Sequence, residues 1–499
     1  MWPSKSFDWF RRPFFVFLID VLFGVVFVCW GGFMISTLKN YFLQFLGSDH
    51  SERKKFLLLA TTFFLVIAAY TILRDLKNSV FISLVGKEYI PKARMIVLGL
   101  LVPAILLYSK LVDKIRRYYL LILYSSLYAV VCLIFAFFLY HPTIGIRNTD
   151  QSVWRLFGWI FYFVVEGYSP FVLSVFWAFS NSVNSPESAK KNYGFMVSGS
   201  KAGGMFTAGL AWALFSMGPV PFLGHISDAA KHSLILAFAA VFLCCIPLVI
   251  FYLMKTVPGR YLHGYEAVYK VEKQRGKTGK AKTGVFAGLK MLVKYPYVLG
   301  IFSMVFFYEI LATVLSYLRL GVAKEATQSI AGLSGFLFKW VFFMHTIGLF
   351  ISLLGTSSLL RKLGTRTCVM LIPITMGVVV LCFILGASPT IIMGAFTLMK
   401  SVNYAFSSPV RESLYIPTLK EIKFKSKSWI DAFGNKFAKF NGSIFNDIAT
   451  YMGPAAFMPL YSFFFALIIG LWFFSAFLLG MRFDRAVAAN EVVGMSEDE

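Results

Sequence analysis

Arg74 and Lys77 stand three residues apart, with Asp75 between them, inside an apolar run from Phe56 to Val85. Residues three apart share a helix face, so the two cations point together and Asp75 points elsewhere, toward another helix. A charge at membrane depth costs about 2.5–3.5 kcal/mol on insertion scales, so such residues face a bundle interior or a water-filled path. Lys436 and Lys439 repeat the spacing in Gly434-Asn435-Lys436-Phe437-Ala438-Lys439-Phe440-Asn441-Gly442. Two cationic pairs facing one cavity would seat a polyanion. Phosphate is the natural class, because lysine holds it as a point charge and arginine through two parallel hydrogen bonds. Glu166 lies in the middle of another apolar run, and a lone buried carboxylate must be protonated or paired with a cation. Lys77 or a lysine of the second half is the expected partner, in a static pair or in one that breaks when the bundle rearranges. Glu309 and Arg319 add a carboxylate and a cation to a third run. The competing reading is snorkelling of Arg74 and Lys77 to a membrane face, with Lys436 and Lys439 on lipid phosphate.

The elements that must hold these residues follow from hydropathy. The chain has 499 residues, 58% hydrophobic and only 14% charged, where a soluble domain carries about a quarter charged. A spanning helix needs about 20 mostly apolar residues. The runs that qualify are 56–85, 95–110, 118–140, 154–180, 194–216, 232–254, 296–320, 333–359, 368–387, 389–408, 430–456 and 461–481. The expected fold is all-α and polytopic, with about twelve transmembrane helices. A further apolar segment, Pro13–Ser36, follows Arg11 and Arg12. It is an extra span, a helix lying on the inner surface, or a targeting segment without a clear cleavage site.

Lysine and arginine set the orientation. If the segment before Phe56 is cytoplasmic, the inner loops hold Lys110, Lys114, Arg116, Arg117, Lys190, Lys191, Arg361, Lys362, Arg366, Lys420, Lys423, Lys425 and Lys427, with ten more basic residues between Lys255 and Lys294. The outer loops hold Lys87, Lys92, Arg94, Arg147, Arg155, Lys231 and Lys324. Both ends of the helical core are therefore expected inside. The net charge of +24 reads as basic inner loops rather than as a nucleic-acid surface. The expected organisation is a hydrophobic segment 1–54, a six-helix half 55–254, a basic linker 255–294, a second six-helix half 295–482 and a tail 483–499. Two halves joined by such a linker suggest the major-facilitator architecture, with a ligand near the midplane.

The linker's Arg275-Gly276-Lys277-Thr278-Gly279-Lys280 lacks the spacing and the strand of a phosphate loop. Six cysteines, Cys29, Cys132, Cys244, Cys245, Cys368 and Cys382, lie in apolar runs without metal or disulfide spacing. Six histidines are scattered, and no nucleophile–base pair, metal cluster or cofactor loop is visible. The sequence therefore argues against an enzyme and implies no cofactor, no metal and no nucleic-acid partner.

The charged positions also carry a resemblance. Tyr70-Thr71-Ile72-Leu73-Arg74-Asp75-x-Lys77 resembles the first-helix signature of the ATP/ADP translocase family of plastids and obligate intracellular bacteria and parasites. Glu166, Phe176-Trp177-x-Phe179-x-Asn181 and Ala189-Lys190-Lys191-x-Tyr193 resemble its fourth helix and the loop after it. Tyr295-Pro296-Tyr297 resembles the start of the seventh. Pro409-x-Arg411-Glu412-x-x-Tyr415-Ile416-Pro417, Lys425-x-Lys427 and Ile430-Asp431 resemble the tenth helix and its following loop. Asn435 and Lys439 fall where the family has an asparagine and a functional lysine. The match covers about residues 55–480. The resemblance implies twelve helices, exchange of ATP for ADP and phosphate, and functional roles at Lys77, Glu166 and Lys439. The sequence departs where the family has a glutamate in its seventh helix. That position is Ser316, and Glu309 lies seven residues earlier on nearly the same face. A usual Asp-Pro is here Ser408-Pro409.

The expected function is thus an alternating-access nucleotide transporter, most simply an ATP:ADP antiporter, in the cell membrane of an intracellular bacterium or parasite or in a plastid-type envelope. A proton-coupled or broad-specificity nucleotide importer is the alternative, and a lipid flippase is the alternative of another class. The expected ligands are ATP, ADP, other nucleotides and phosphate, held by a monomer in a lipid bilayer. Arg74, Lys77, Glu166, Lys436, Lys439, Glu309 and Arg319 form the expected seat, with Asn181 and Asn435 on base or ribose. Asp75, Glu166, Arg411 and Glu412 are the expected gate or ion-pair residues.

Overall fold

The structure is a computed structural model. It describes residues 49–184, 186–218, 226–262, 287–354, 356–385, 389–415, 426–452 and 454–489, together with 417, 418, 422, 491 and 493. The segment 13–36 and most of the basic linker lie outside the described residues.

The chain runs through helices α1 (His50–Leu84), α2 (Ile90–Lys114), α3 (Arg117–Tyr140), α4 (Leu156–Val183), α5 (Pro186–Ser216), α6 (Asp228–Thr256), α7 (Pro296–Glu325), α8 (Ile330–Leu354), α9 (Thr356–Leu385), α10 (Pro389–Val402, continuing through a π-turn into Ser408–Ser413), α11 (Asn435–Thr450) and α12 (Pro454–Ala488). Among the described residues there is no strand, only one isolated bridge between Thr418 and Val493. Eight of these helices contain a stretch long and apolar enough to cross a membrane. Large side chains such as Phe137, Leu248, Phe251, Phe463 and Phe474 are exposed on helix surfaces, the pattern expected where lipid rather than water is the neighbour.

Local sequence explains the ends and bends. Ser227 caps α6, its hydroxyl accepting from the Ala230 N–H at 3.2 Å, as serine does at helix starts. Gly86 ends α1 with φ of 123°, a conformation that only glycine adopts readily. In α4, Pro170 has no N–H to give the Glu166 carbonyl four residues earlier, and the helix passes through a π-turn at Ser169–Leu173. A second π-turn, Asn403–Ser407, precedes Pro409 in α10, and a third, Ile430–Gly434, leads into α11. Such π-bulges are common at functional sites.

Two buried cores organise the bundle. One joins α1 to α6, and α7 from Tyr317 onward and α8 from Ala331 to Met344 pack into it. The other joins α7 up to Leu315 with α9, α10 and α12. The two groups, α1–α6 and α7–α12, are therefore tied at the end of the bundle where α1 finishes, called here the Leu84 end. Glycines allow the closest approaches. A Cβ on Gly199 or Gly203 would strike the α1 backbone at Ala60 or Phe64, the small-residue spacing that brings membrane helices together.

Candidate functional site

At 1.5 Å of rise per residue, Lys77 lies about 10 Å below the Leu84 end of α1, and Glu166 about 15 Å into α4. Lys439 sits about 16 Å from the Thr450 end of α11. These positions lie inside the bundle, where Lys77 and Lys436 meet Glu166 rather than reaching out to a membrane face. The side chains reach open space nonetheless: Arg74 is 22% exposed and Lys439 37% exposed, as expected around a polar cavity between helices.

Glu166 is the hub. One carboxylate oxygen accepts from the Lys77 ammonium, and the other accepts from Lys436 Nζ at 2.9 Å. One acid thus holds a lysine from α1 and a lysine from α11, one from each helix group. The Lys77 ammonium also lies over the Tyr162 ring, 4.8 Å from its centroid. Removing one partner of such a buried cluster leaves charge uncompensated, at a cost of about 3–5 kcal/mol.

A second cluster lies on α7 and α11. Asn435 Nδ2 donates to Glu309 Oε1 at 2.9 Å, and Lys439 Nζ stands 3.9 Å from Glu309 Oε2. Asn435 and Lys439 are four apart, so one face of α11 presents both. In a third cluster, Arg74 donates twice to Asp75 Oδ2, at 3.2 and 3.0 Å. Arg319 approaches Asp75 Oδ1 at 3.9 Å and stacks over Phe396 at 4.4 Å. Asp75 therefore also links the two groups, α1 to α7.

The other residues singled out from the sequence lie elsewhere. Asn181 is exposed and fifteen residues, about 22 Å, along α4 from Glu166. Arg411 donates to Asn403 Oδ1 at 3.0 Å, and Glu412 pairs with Lys427 at 2.6 Å. Both are at the far end of α10, away from the Glu166 cluster.

Three cations and a histidine escaped the sequence reading. Arg94 reads there as an outer-loop residue. It lies on α2 and donates across the groups to the Thr313 carbonyl and to Ser316 Oγ, each at 3.1 Å. Ser316, the position at which the sequence departs from the family pattern, is thus bonded to an arginine. Lys201 on α5 and Lys400 on α10 are partly buried and stand over the rings of Tyr404 and Tyr308. His345 of α8 reaches Thr71 Oγ1 of α1 at 3.5 Å. A lone lysine in an apolar run was the available signal for Lys201 and Lys400.

The two groups are latched further at the Leu84 end. His232 Nδ1 meets the Asp228 carbonyl at 2.7 Å, and its Nε2 meets Ser334 Oγ at 2.8 Å. Ser334 donates to Ser79 Oγ at 2.8 Å. Asp228 Oδ2 accepts from the Ala331 N–H at 3.1 Å, capping the start of α8.

A family model described as TLC ATP/ADP transporter matches residues 35–483. The chain belongs to this family. It is 26% identical over 496 residues to ADP,ATP carrier protein 1 of Chlamydia trachomatis serovar D, covering 88% of this chain and 90% of that one. It is 24% identical over 490 residues to ADP,ATP carrier protein 1 of Rickettsia prowazekii, covering 89% and 96%. The fold resembles a D-xylose-proton symporter, with a TM-score of 0.55 at 12% identity over 86% of this chain and 96% of that one. It also resembles the nucleoside transporter NupG, with a TM-score of 0.53 at 14% identity over 87% and 99%. At these identities the likeness speaks for the major-facilitator-like fold alone. The protein is a multi-pass membrane transporter of the TLC family, and not an enzyme.

Proposed function

We propose that this protein exchanges ATP for ADP and phosphate by alternating access. The carrying observation is that Glu166 holds one lysine from each helix group. Nucleotide phosphates compete with that carboxylate for the same ammonium groups. Lys77, Lys436 and Lys439, with Arg74 beside them, are the phosphate-binding residues of this reading, and Asn435 is the neighbour for ribose or base. Glu309 takes the part of the carboxylate that Ser316 lacks. Asp75 and Arg319 hold the groups together beside the seat. A ligand that releases Glu166 shifts the balance between the two arrangements only by its differential affinity for them, which favours exchange over leak.

The excess of lysine and arginine in the loops at the opposite end supports a Leu84 end outside and both core ends inside. The halves 55–254 and 295–482 then rock about the seat as a monomer of twelve spans in the bilayer. The test is uptake of labelled ATP into proteoliposomes loaded with ADP. Lys77→Ala and Lys439→Ala each abolish uptake, and near-normal uptake by both variants removes the assignment. Competition by unlabelled ATP or ADP separates an exchanger from a lipid flippase. Ser316 favours one further reading, a proton-coupled or broad-specificity nucleotide importer. That importer takes up nucleotide into vesicles with a proton gradient and no internal counter-substrate, which the exchanger does not.

A further inference from the structure

Lys201 and Lys400 are two cations that this mechanism leaves unused. Each cation of the Glu166, Glu309 and Asp75 clusters has a carboxylate partner. Among the described residues, Lys201 and Lys400 have none within ion-pair distance, and neither ammonium makes a hydrogen bond. Lys201 stands over Tyr404, 5.3 Å from the ring centroid, and another cation, Arg74, lies within its electrostatic reach. Lys400 stands over Tyr308 at 5.2 Å and Phe396 at 5.7 Å. Arg74, Lys439 and Glu309 lie within its electrostatic reach.

Two features make this a site rather than stray charge. Lys400 and Tyr404 are one turn apart on α10, so they share a face, and Tyr404 is 42% exposed. Lys201 and Arg74 come from α5 and α1, in the other helix group. Tyr404 therefore sits where cations from both groups converge at mid-bundle depth. Arg74 is already paired with Asp75, but Lys201 and Lys400 hold positive charge in a low-dielectric interior with no carboxylate bonded to either, and an anion relieves that cost.

We infer that Lys201, Lys400 and Arg74, gathered round Tyr404, form a second anion seat beside the Glu166 cluster, and that it takes a phosphate group. The group is either the terminal phosphoryl of a nucleoside triphosphate or a free phosphate bound alongside a nucleoside diphosphate. The inference rests on the nucleotide-exchange reading and says where that reading distinguishes three phosphates from two. An anion in this seat draws α1 and α5 toward α10, and so contributes to closing one group on the other.

The test uses the full chain in proteoliposomes and the double variant Lys201→Gln/Lys400→Gln. A charged hydrogen bond is worth about 1.5–3 kcal/mol, or roughly tenfold or more in affinity. If the seat holds the terminal phosphoryl, the KM for ATP rises about tenfold relative to that for ADP. If it holds free phosphate, the stimulation of ADP exchange by inorganic phosphate falls about tenfold and the ATP-to-ADP ratio is kept. Lys201→Arg/Lys400→Arg restores either property, which excludes a folding defect. Equal loss for all three substrates, or no change in any, overturns the seat. If the wild type exchanges no nucleotide, the exchanger reading fails by itself. The seat is then judged by whether phosphate or pyrophosphate raises the Tm of the purified protein. A rise lost in the glutamine variant supports it, and no rise overturns it.

Discussion

A carboxylate with two lysines looks like a structural ion pair until its neighbours are counted. Glu166 takes one lysine on each oxygen, and the two lysines arrive from different helix groups. In a bundle that must open and close, this arrangement ties the two groups together and repels an incoming phosphate at once. Glu166→Gln separates these effects. It leaves two buried ammonium groups without a counter-charge, so the unliganded protein loses stability, by about 3–5 kcal/mol for a fully broken buried pair. Phosphate then relieves the same charge and no longer competes with a carboxylate. The expected outcome is a lower Tm without ligand and a larger Tm increase on adding ATP than in the wild type, since ligand stabilisation follows affinity. An ATP response equal to or smaller than the wild type's contradicts the competition. Lys77, Glu166, Lys436 and Lys439 were legible in the sequence because charge in an apolar run is expensive enough to stand out. Arg94 was not, because it lies near a predicted helix edge, where arginine is ordinary. Its partners Thr313 and Ser316 are more than 200 residues away and carry no charge to betray the contact. The pairing of Asn435 with Glu309 was equally hidden, since an asparagine in a helix announces no partner.

At the scale of the helices, hydropathy gives existence and order but not contact. The run 56–85 matches α1 closely, whereas 95–110 underestimates α2, which extends from Ile90 to Lys114. The start of α2 is polar, with Lys92 and Arg94 serving the junction with α7 and α11, so an apolar window trims it. The three π-turns also escaped, although Pro170 and Pro409 mark two of them. A proline shows where a hydrogen bond is missing, but the surrounding packing decides whether the helix breaks or widens. Glycine carries a similar ambiguity. Gly203 and Gly348 both sit in helices, yet a Cβ at Gly203 meets the α1 backbone and one at Gly348 meets nothing within 4 Å. Alanine is a better helix former than glycine by about 1 kcal/mol, while overpacking costs about 1–3 kcal/mol. Gly203→Ala therefore lowers the Tm of the purified protein, and Gly348→Ala holds or raises it. The reverse order contradicts the close α1–α5 crossing.

For the whole molecule, several of the polar ties between groups lie toward the Leu84 end. They include His232 with Ser334 and Ser79, Asp228 with the start of α8, and Arg94 with α7. The apolar packing agrees, since α7 beyond Tyr317 and most of α8 belong to the core of α1–α6. None of this was readable from sequence, because each tie joins ordinary side chains or backbone groups more than 100 residues apart. A transporter that works by alternating access must part its halves at this end to admit ligand from that side. Ser79 and Ser334 test that directly, because their hydroxyl oxygens are 2.8 Å apart and they lie on helices from different groups. Ser79→Cys/Ser334→Cys, in a background without the native cysteines, is expected to crosslink on mild oxidation. Nucleotide exchange then stops, and dithiothreitol restores it, while each single variant is indifferent to oxidant. The purified crosslinked protein still binds ATP from the other side, because the lock holds the Leu84 end shut without touching Lys77, Glu166 or Lys439. Full exchange by the crosslinked carrier contradicts a moving Leu84 end, and loss of ATP binding together with exchange means that the crosslink deforms the seat instead of locking the halves.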